Sequence, residues 1–312
     1  MGICFIPENH TLFQPLFNRY FEISIKPVFY ILSVNYQSTD LIKNLLANFS
    51  TVPQDRIRWV IINNFPSDQT ALEALATEQV TLINAGSNLG FGRACNLGLN
   101  WIYHHSPQAL VWLLNPDTTC NPQIIAKAES FLKDHPDISI LGTLIYTTDH
   151  TIWFGGGTFN GRKGEIRSEN FFATHSQNAY LTCDWVSGCS MIINLKHFSI
   201  CPQFDPTYFL YYEDFDFCQR YQKDGHLVAV TNQFSIIHQV STITNRNLKG
   251  KFYHSTYSYL LTLENYSNLT VFYLRCLRLI IYAIILLPVK PTIALGKIAG
   301  TWHYLKKRVG LI

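Results

Sequence analysis

The chain has 312 residues, of which 47% are hydrophobic, 14% aromatic and only 14% Asp, Glu, Lys or Arg, against roughly 25% charged in ordinary soluble domains. That composition excludes a disordered chain, the 17 Gly and 13 Pro exclude a collagen-like or low-complexity one, and a net charge of +3 is too mild for a nucleic-acid partner. The charge is unevenly placed: residues 265–312 hold seven Lys and Arg and no acid, which leaves 17 cations against 21 acids, or −4, over residues 1–264.

Residues 1–26 precede the first clear element and form an N-terminal extension. MGICFIPENH lacks a basic segment followed by a small-residue cleavage site, and Ile6 stands where a myristoylation signal needs Ser or Thr. From residue 28 short apolar runs alternate with helical patterns. Residues 28–35 (VFYILSVN) predict a buried strand, 39–49 a helix with Ser38 as its cap, 59–63 a second strand and 80–84 a third. A helix from Ser67 or Asp68 to Ala76 lies between the last two; 91–104 is a further helix and 109–114 (ALVWLL) a fourth strand. Strands this uniformly apolar, separated by helices, predict a mostly parallel sheet covered on both faces. Ligands of such sheets sit beyond the carboxyl ends of the strands, here at Asn35 and Tyr36, Asn63 and Asn64, residues 84–88, and Asn115 to Asp117.

The second half is mixed: strands at 138–146, Gly-rich hairpins at 153–164, a strand pair at 182–194, a helix at 213–223 and a strand at 226–230. The eight cysteines show no CxxC pair and no zinc spacing, and are expected as small core residues of a reducing compartment. In the basic tail the longest apolar run is 279–289, eleven residues, about half of what a membrane span requires. A tail of that kind is expected to hold the acidic body against an anionic membrane surface; the alternative is a buried core helix.

Three segments carry chemistry. Residues 115–118 (NPDT) place Asp117 at the end of an apolar strand, where a carboxylate can hold a divalent cation facing a diphosphate; the same tetrapeptide also makes a turn before a helix cap. Residues 84–98 (NAGSNLGFGRACNLG) lead into a helix but lack the spacing of a dinucleotide-binding or P-loop motif, leaving a close-approach loop with Arg93 for phosphate charge. Residues 208–220 (YFLYYEDFDFCQR) put Glu213, Asp214 and Asp216 in the first turn of a helix. At ~100° per residue Asp214 and Asp216 point in opposite directions. Asp216 is placed to pair with Arg220, leaving Asp214 or Glu213 to face a cleft as a general base.

Taken in order, the segments resemble the family-2 glycosyltransferases of GT-A fold, most closely their rhamnosyltransferase-like branch. The resemblance rests on Ser33-Val34-Asn35-Tyr36, Asn63-Asn64 with Asp68, Asn88-Leu89-Gly90-Phe91-Gly92 with Asn96 and Gly98, Leu113-Leu114-Asn115-Pro116-Asp117, Gly188 to Ile193, and Tyr212-Glu213-Asp214-Phe215-Asp216 with Arg220, and covers about Val28 to His238. It implies a nucleotide-diphospho-sugar transferase domain over 27–264 and a helical, membrane-associating tail over 265–312. By resemblance, Asn35, Tyr36, Asn64 and Asp68 line the base and ribose pocket, and Asn88, Gly90, Phe91, Arg93, Asn96 and Asn115 complete the nucleotide site. Asp117 and His238 hold Mg²⁺ or Mn²⁺, Asp214 is the base beside Glu213, and Gly188 and Trp185 border sugar and acceptor. Asn115 stands where the family's Asp-x-Asp motif has its first acid. The implied reaction is inverting transfer from a dTDP- or UDP-sugar, rhamnose at the family level, to a glycan or lipid-linked acceptor at the cytoplasmic face of a membrane. A non-catalytic nucleotide-sugar binder and a transferase acting on polyprenyl phosphate are the alternatives.

Overall fold

The computed structural model describes residues 29–175, 177–240 and 247–310. The extension at 1–26 lies outside them. The first half runs β1 (Phe29–Asn35), α1 (Thr39–Asn48), β2 (Ile57–Asn63), α2 (Gln69–Glu73), β3 (Val80–Asn84), α3 (Phe91–His105) and β4 (Leu110–Leu114). β1 pairs in parallel with β2 and β4, and β2 with β3. Every residue of β1 and β4 is buried, which is why their sequences are continuous apolar runs rather than alternating ones. Each fully buried Leu, Ile or Val there contributes about 1.5–3 kcal/mol over an exposed one.

The second half adds β5 (Thr118–Thr119), α4 (Ile124–Asp134), β6 (Ile138–Thr147), β7 (Ile152–Phe154), β8 (Gly157–Asn160), β9 (Glu165–Ser168), β10 (Tyr180–Thr182), β11 (Ser190–Asn194), α5 (Glu213–Lys223) and β12 (Leu227–His238). The main sheet has the order β10-β12-β6-β11-β4-β1-β2-β3. β11 runs antiparallel to both of its neighbours, β4 and β6, so the sheet is mixed at this point.

Three local readings change. The expected strand pair at 182–194 is two strands that do not meet: β10 pairs with β12 and β11 with β4 and β6, because residues 183–189 cross between them as a loop. The strand expected at 226–230 continues to His238, its register shifting between Thr231 and Ser235 where polar residues interrupt the apolar pattern. The helix expected from 67 to 76 is a single 3₁₀ turn, Pro66–Asp68, followed by the short α2.

Three helices close the chain: α6 (Leu248–Tyr266), α7 (Leu269–Leu286) and α8 (Pro291–Arg308). They share a small core of Tyr257, Leu260, Leu263, Phe272, Cys276 and Tyr304. Residue 265 falls inside α6, whose last turn is bonded to the body: the Tyr266 hydroxyl donates to Asp216 Oδ1 (2.7 Å). The first eight residues of the eleven-residue apolar run, 279–286, are the end of an 18-residue helix and the last three lie beyond it; Arg275 and Arg278 interrupt the apolar pattern without interrupting α7. The seven cysteines within the described residues are all free thiols.

Candidate active site

A cleft with a cavity volume of about 770 Å³ opens beyond the carboxyl ends of β1, β2 and β4. The side chains at those ends divide into wall and support. Asn35 is fully buried: its amide donates to Asn63 Oδ1 (3.1 Å) and Asp68 Oδ2 (3.0 Å), and its carbonyl accepts from the Ser38 hydroxyl (2.9 Å) and amide (3.1 Å). Ser38 therefore serves Asn35 rather than capping α1. Neither Asn35 nor Asp68 lines the cleft; they brace the strand ends that do.

Tyr36, with its ring edge-on to Phe65 at 5.5 Å, is part of the wall. So is Asn64, which accepts from the Leu89 amide (2.8 Å) and donates to Asn88 Oδ1 (3.0 Å), while Asn88 also accepts from the Gly90 amide (3.1 Å). This network shapes the loop into α3. Gly90 has φ +86°, and a Cβ there would lie 2.1 Å from the Phe209 carbonyl oxygen; Phe91 in turn donates its amide to that oxygen (3.0 Å). Arg93 and Asn96 lie off the cleft: Arg93 donates to the Pro206 carbonyl (2.7 Å), and Asn96 donates to the Phe204 carbonyl and accepts from its amide. Both fasten the 204–209 loop to α3 and so hold the wall from behind.

β5 pairs with the end of β12, which brings Asp117 and His238 together. Asp117 is 5% exposed, and His238 Nε2 stands 3.3 Å from its Oδ1 without the geometry of a hydrogen bond. Asp117 Oδ1 and, at the other nitrogen of the ring, His238 Nδ1 are buried without hydrogen-bond partners, each at a cost that calls for one. An oxygen and an imidazole nitrogen at a cleft wall fit a hard divalent cation that takes its other ligands from a bound diphosphate and water. No group of three or more His, Cys, Asp or Glu able to enclose an ion occurs among the described residues. Asn115 lines the cleft beside them, its backbone N–H donating to the Cys189 carbonyl (3.0 Å).

Opposite stands the first turn of α5. Tyr211 and Tyr212 have φ of +70° and +65°, left-handed conformations that cost these non-glycine residues of order 1 kcal/mol each. They turn the chain sharply so that both Glu213 and Asp214 line the cleft. Asp214 Oδ2 accepts from the Gly188 amide and Oδ1 from the Phe215 amide, both at 2.9 Å. A Cβ on Gly188 would lie 3.1 Å from the Phe91 ring and 3.4 Å from the Asp214 Cβ, a tight fit that a side chain here would have to relieve by shifting the Phe91 ring. Burial raises the Asp214 carboxyl above the usual range, opposed by the two backbone donors. Glu213 is raised by its burial and by the neighbouring Asp214 charge, and its Oε2 has no hydrogen-bond partner. Asp216 points the other way, bonded to Arg220 Nε (2.7 Å) and Tyr266, as the helical spacing requires.

Trp185 also lines the cleft, packed on Phe154 at 5.0 Å, with a buried, unpartnered Nε1. The wall includes residues that motif reading passes over. Trp153 comes from the Gly-rich hairpins and Ser168 from β9 just after them, where pattern alone does not say which side chains turn inward. Lys251 and His254 lie in the first turns of α6, where no motif marks them.

The family model of glycosyl transferase family 2 matches residues 31–198, more than half of the chain. The chain belongs to this family. It is 23% identical over 238 residues to the N-acetylglucosaminyl-diphospho-decaprenol L-rhamnosyltransferase of Mycobacterium tuberculosis, a match covering 70% of this chain and 78% of that protein. It is also 23% identical over 200 residues to the dTDP-rhamnosyl transferase RfbF of Shigella flexneri, covering 64% and 65%. In fold it is similar to the mannosyltransferase PcManGT from Pyrobaculum calidifontis, solved in complex with GDP-Man and Mn²⁺. The TM-score is 0.54 at 13% identity, covering 91% of this chain and 88% of that one. This family-2 glycosyltransferase is an enzyme of the rhamnosyltransferase-like kind with a GT-A-like fold.

Proposed function

We propose that the enzyme moves a sugar, rhamnose first among the candidates, from a dTDP- or UDP-linked donor to a hydroxyl of a glycan or lipid-linked acceptor, with inversion, at the cytoplasmic face of a membrane. One observation carries the reading: the unpartnered Asp117–His238 pair and the backbone-held Asp214 line the same cleft. Displacement at an anomeric carbon separates a departing diphosphate from an incoming hydroxyl, and the two groups suit these two ends.

In this reading Tyr36, Asn64, Asn88 and Phe91 bind the nucleoside part of the donor, while Asn35, Asp68, Arg93 and Asn96 support that wall. Asp117 and His238 hold Mg²⁺ or Mn²⁺, which when bound supplies neutralisation of the diphosphate charge. Asp214 takes the acceptor proton. Its raised affinity for a proton suits that task, and the Gly188 amide keeps one oxygen aimed while the proton arrives. Trp185 and Gly188 border the sugar and acceptor, and Glu213 backs Asp214 from the interior.

Release of nucleoside diphosphate from a panel of dTDP-, UDP- and GDP-sugars, with Mn²⁺ and after chelation, tests the proposal. Release that depends on the cation and disappears in Asp117→Ala is expected. Full-rate release after chelation removes the cation, and silence across donors and acceptors removes the reaction. A rise in melting temperature on adding dTDP with Mn²⁺, absent in Asp117→Ala, reads the same site through binding alone.

A further inference from the structure

α7 breaks the usual sorting of side chains. Over Leu269–Leu286 its mean hydropathy is 2.0, yet only 17% of its residues are buried. Phe272 and Cys276 face the small core shared with α6 and α8. At ~100° per residue, Leu274, Leu277, Ile281, Ile284 and Ile285 fall on the opposite arc, where they are 49–63% exposed. Exposed apolar surface of this extent is a site of interaction. Arg278 flanks the arc, and residues 265–312 contain no acid. Among the described residues Arg278, Lys290, Lys297, Lys306 and Lys307 form no ion pair. A surface that is apolar, flanked by cations and free of acids complements an anionic lipid headgroup layer, where each cation contributes about 1 kcal/mol.

By length and composition α7 could cross a bilayer, but its neighbours hold both of its ends on the protein. In its second turn Arg275 donates to the Lys163 carbonyl (2.8 Å) and pairs with Glu165, and toward its end Ala283 is buried and Lys297 of α8 lies 5.6 Å over the Tyr282 ring. After its end the chain turns back into α8, which returns to the beginning of α7: Arg308 pairs with Glu264 (3.0 Å) and lies 4.3 Å over the Phe272 ring. α8 is pressed onto α6 at two glycines, since a Cβ on Gly296 would lie 2.6 Å from the Lys249 carbonyl oxygen and one on Gly300 2.4 Å from that of Tyr253. A crossing α7 would have to tear this contact apart or draw Lys297, Lys306, Lys307 and Arg308 into the bilayer, at about 2.5–3.5 kcal/mol for each charge at its centre. Trp302, 61% exposed beneath Lys306, has the character of an interfacial anchor.

We propose that the apolar arc of α7 docks on an anionic bilayer and lies in the plane of the headgroup–acyl boundary rather than crossing it. The docking rests on the membrane placement proposed above and not on the cleft chemistry. Its consequence for the cleft is geometric. α6 packs on α7 and α8, while its first turns, through Gly250, Lys251 and His254, line the cleft. One helix thus carries a wall of the cleft on its first turns and packs on α7 through Leu260 and Leu263 further along, which ties the orientation of the cleft to the docked helix and suits an acceptor whose lipid remains in the bilayer.

Co-sedimentation of the full chain with vesicles of phosphatidylcholine alone, or of equal parts phosphatidylcholine and phosphatidylglycerol, tests this. Binding to the anionic vesicles is expected to exceed binding to the neutral ones, to weaken in high salt, and to be released by alkaline carbonate. The double change Leu277→Glu with Ile281→Glu lies on the exposed arc and is expected to lower vesicle binding roughly tenfold or more while leaving the dTDP-induced melting shift intact. Equal binding by that variant, equal binding to neutral vesicles, or retention through carbonate extraction would each overturn the proposal. Vesicle binding without turnover of any donor would leave the docking standing and remove the reaction.

Discussion

The sheet domain and the C-terminal helices violate the sorting of side chains in opposite ways. In the sheet domain several polar atoms are buried without hydrogen-bond partners, and four of them, Asp117 Oδ1, His238 Nδ1, Glu213 Oε2 and Trp185 Nε1, gather on residues of one cleft. In the helices apolar side chains are exposed without cover, from Leu274 to Ile285. A buried orphan costs roughly 1–3 kcal/mol and marks a spot where one particular atom is expected. An uncovered apolar arc marks an area where many equivalent contacts are expected. The first kind of site should respond to single-atom changes and to pH, the second to salt and to the removal of several side chains together.

The largest expected effect is on the single-atom side. Asp214→Asn keeps the shape but loses the basicity and one of the two backbone contacts, since its NH₂ cannot accept from an N–H, and should lower transfer to a hydroxyl by about 10²–10⁴-fold while vesicle binding stays at the parent level. Transfer at close to the parent rate would move the acceptor from a hydroxyl to a phosphate, which needs little base assistance; a change in vesicle binding would break the separation of the two regions. Next comes the wall. Gly90→Ala must accommodate both the positive φ and the Phe209 carbonyl, and should destabilise the protein by more than about 2 kcal/mol in denaturant melts, with weakened dTDP binding. An unchanged midpoint would show that the 204–209 loop yields freely.

The smallest effect is a slope. Glu213 holds its proton to higher pH in the fold than in the unfolded chain, where its carboxyl titrates near 4.3. Below that pH both states are protonated and the contribution is complete. As pH rises the unfolded state loses its proton first, so stability falls until the folded carboxyl also ionises. Glu213→Gln should flatten this decline in melting temperature against pH, leaving the part due to Asp214. Parallel profiles for parent and variant would place no proton on Glu213.

The strands, their parallel order and the polar ends at Asn35, Asn64 and Asn115 are legible in the sequence because burial on both faces leaves continuous apolar runs. Asp216 is separable from Asp214 by helical angle alone, and the structure gives it Arg220 and Tyr266. What period cannot reveal is which polar residue at a strand end touches solvent: Asn35 and Tyr36 are adjacent, yet one is consumed by Ser38, Asn63 and Asp68 and the other faces the cleft. Arg93 and Asn96 have the composition of phosphate ligands, but their partners are backbone atoms more than a hundred residues away. Lys251 and His254 reach the cleft only because α6 folds back over it, a long-range event that leaves no local pattern.

The seating of α8 on α6 through Gly296 and Gly300 bears on how this chain can be divided. An anchor that evolved as an attachment can be clipped, exchanged or fused elsewhere without harm to its cargo. Here a cut after Glu264 would uncover Leu260 and Leu263, remove the Tyr266 bond to Asp216 and strip support from the helix that carries one side of the cleft. The C-terminal helices are consequently not a module, and a shortened version sought for solubility should keep all three and change the outward side chains of α7 instead.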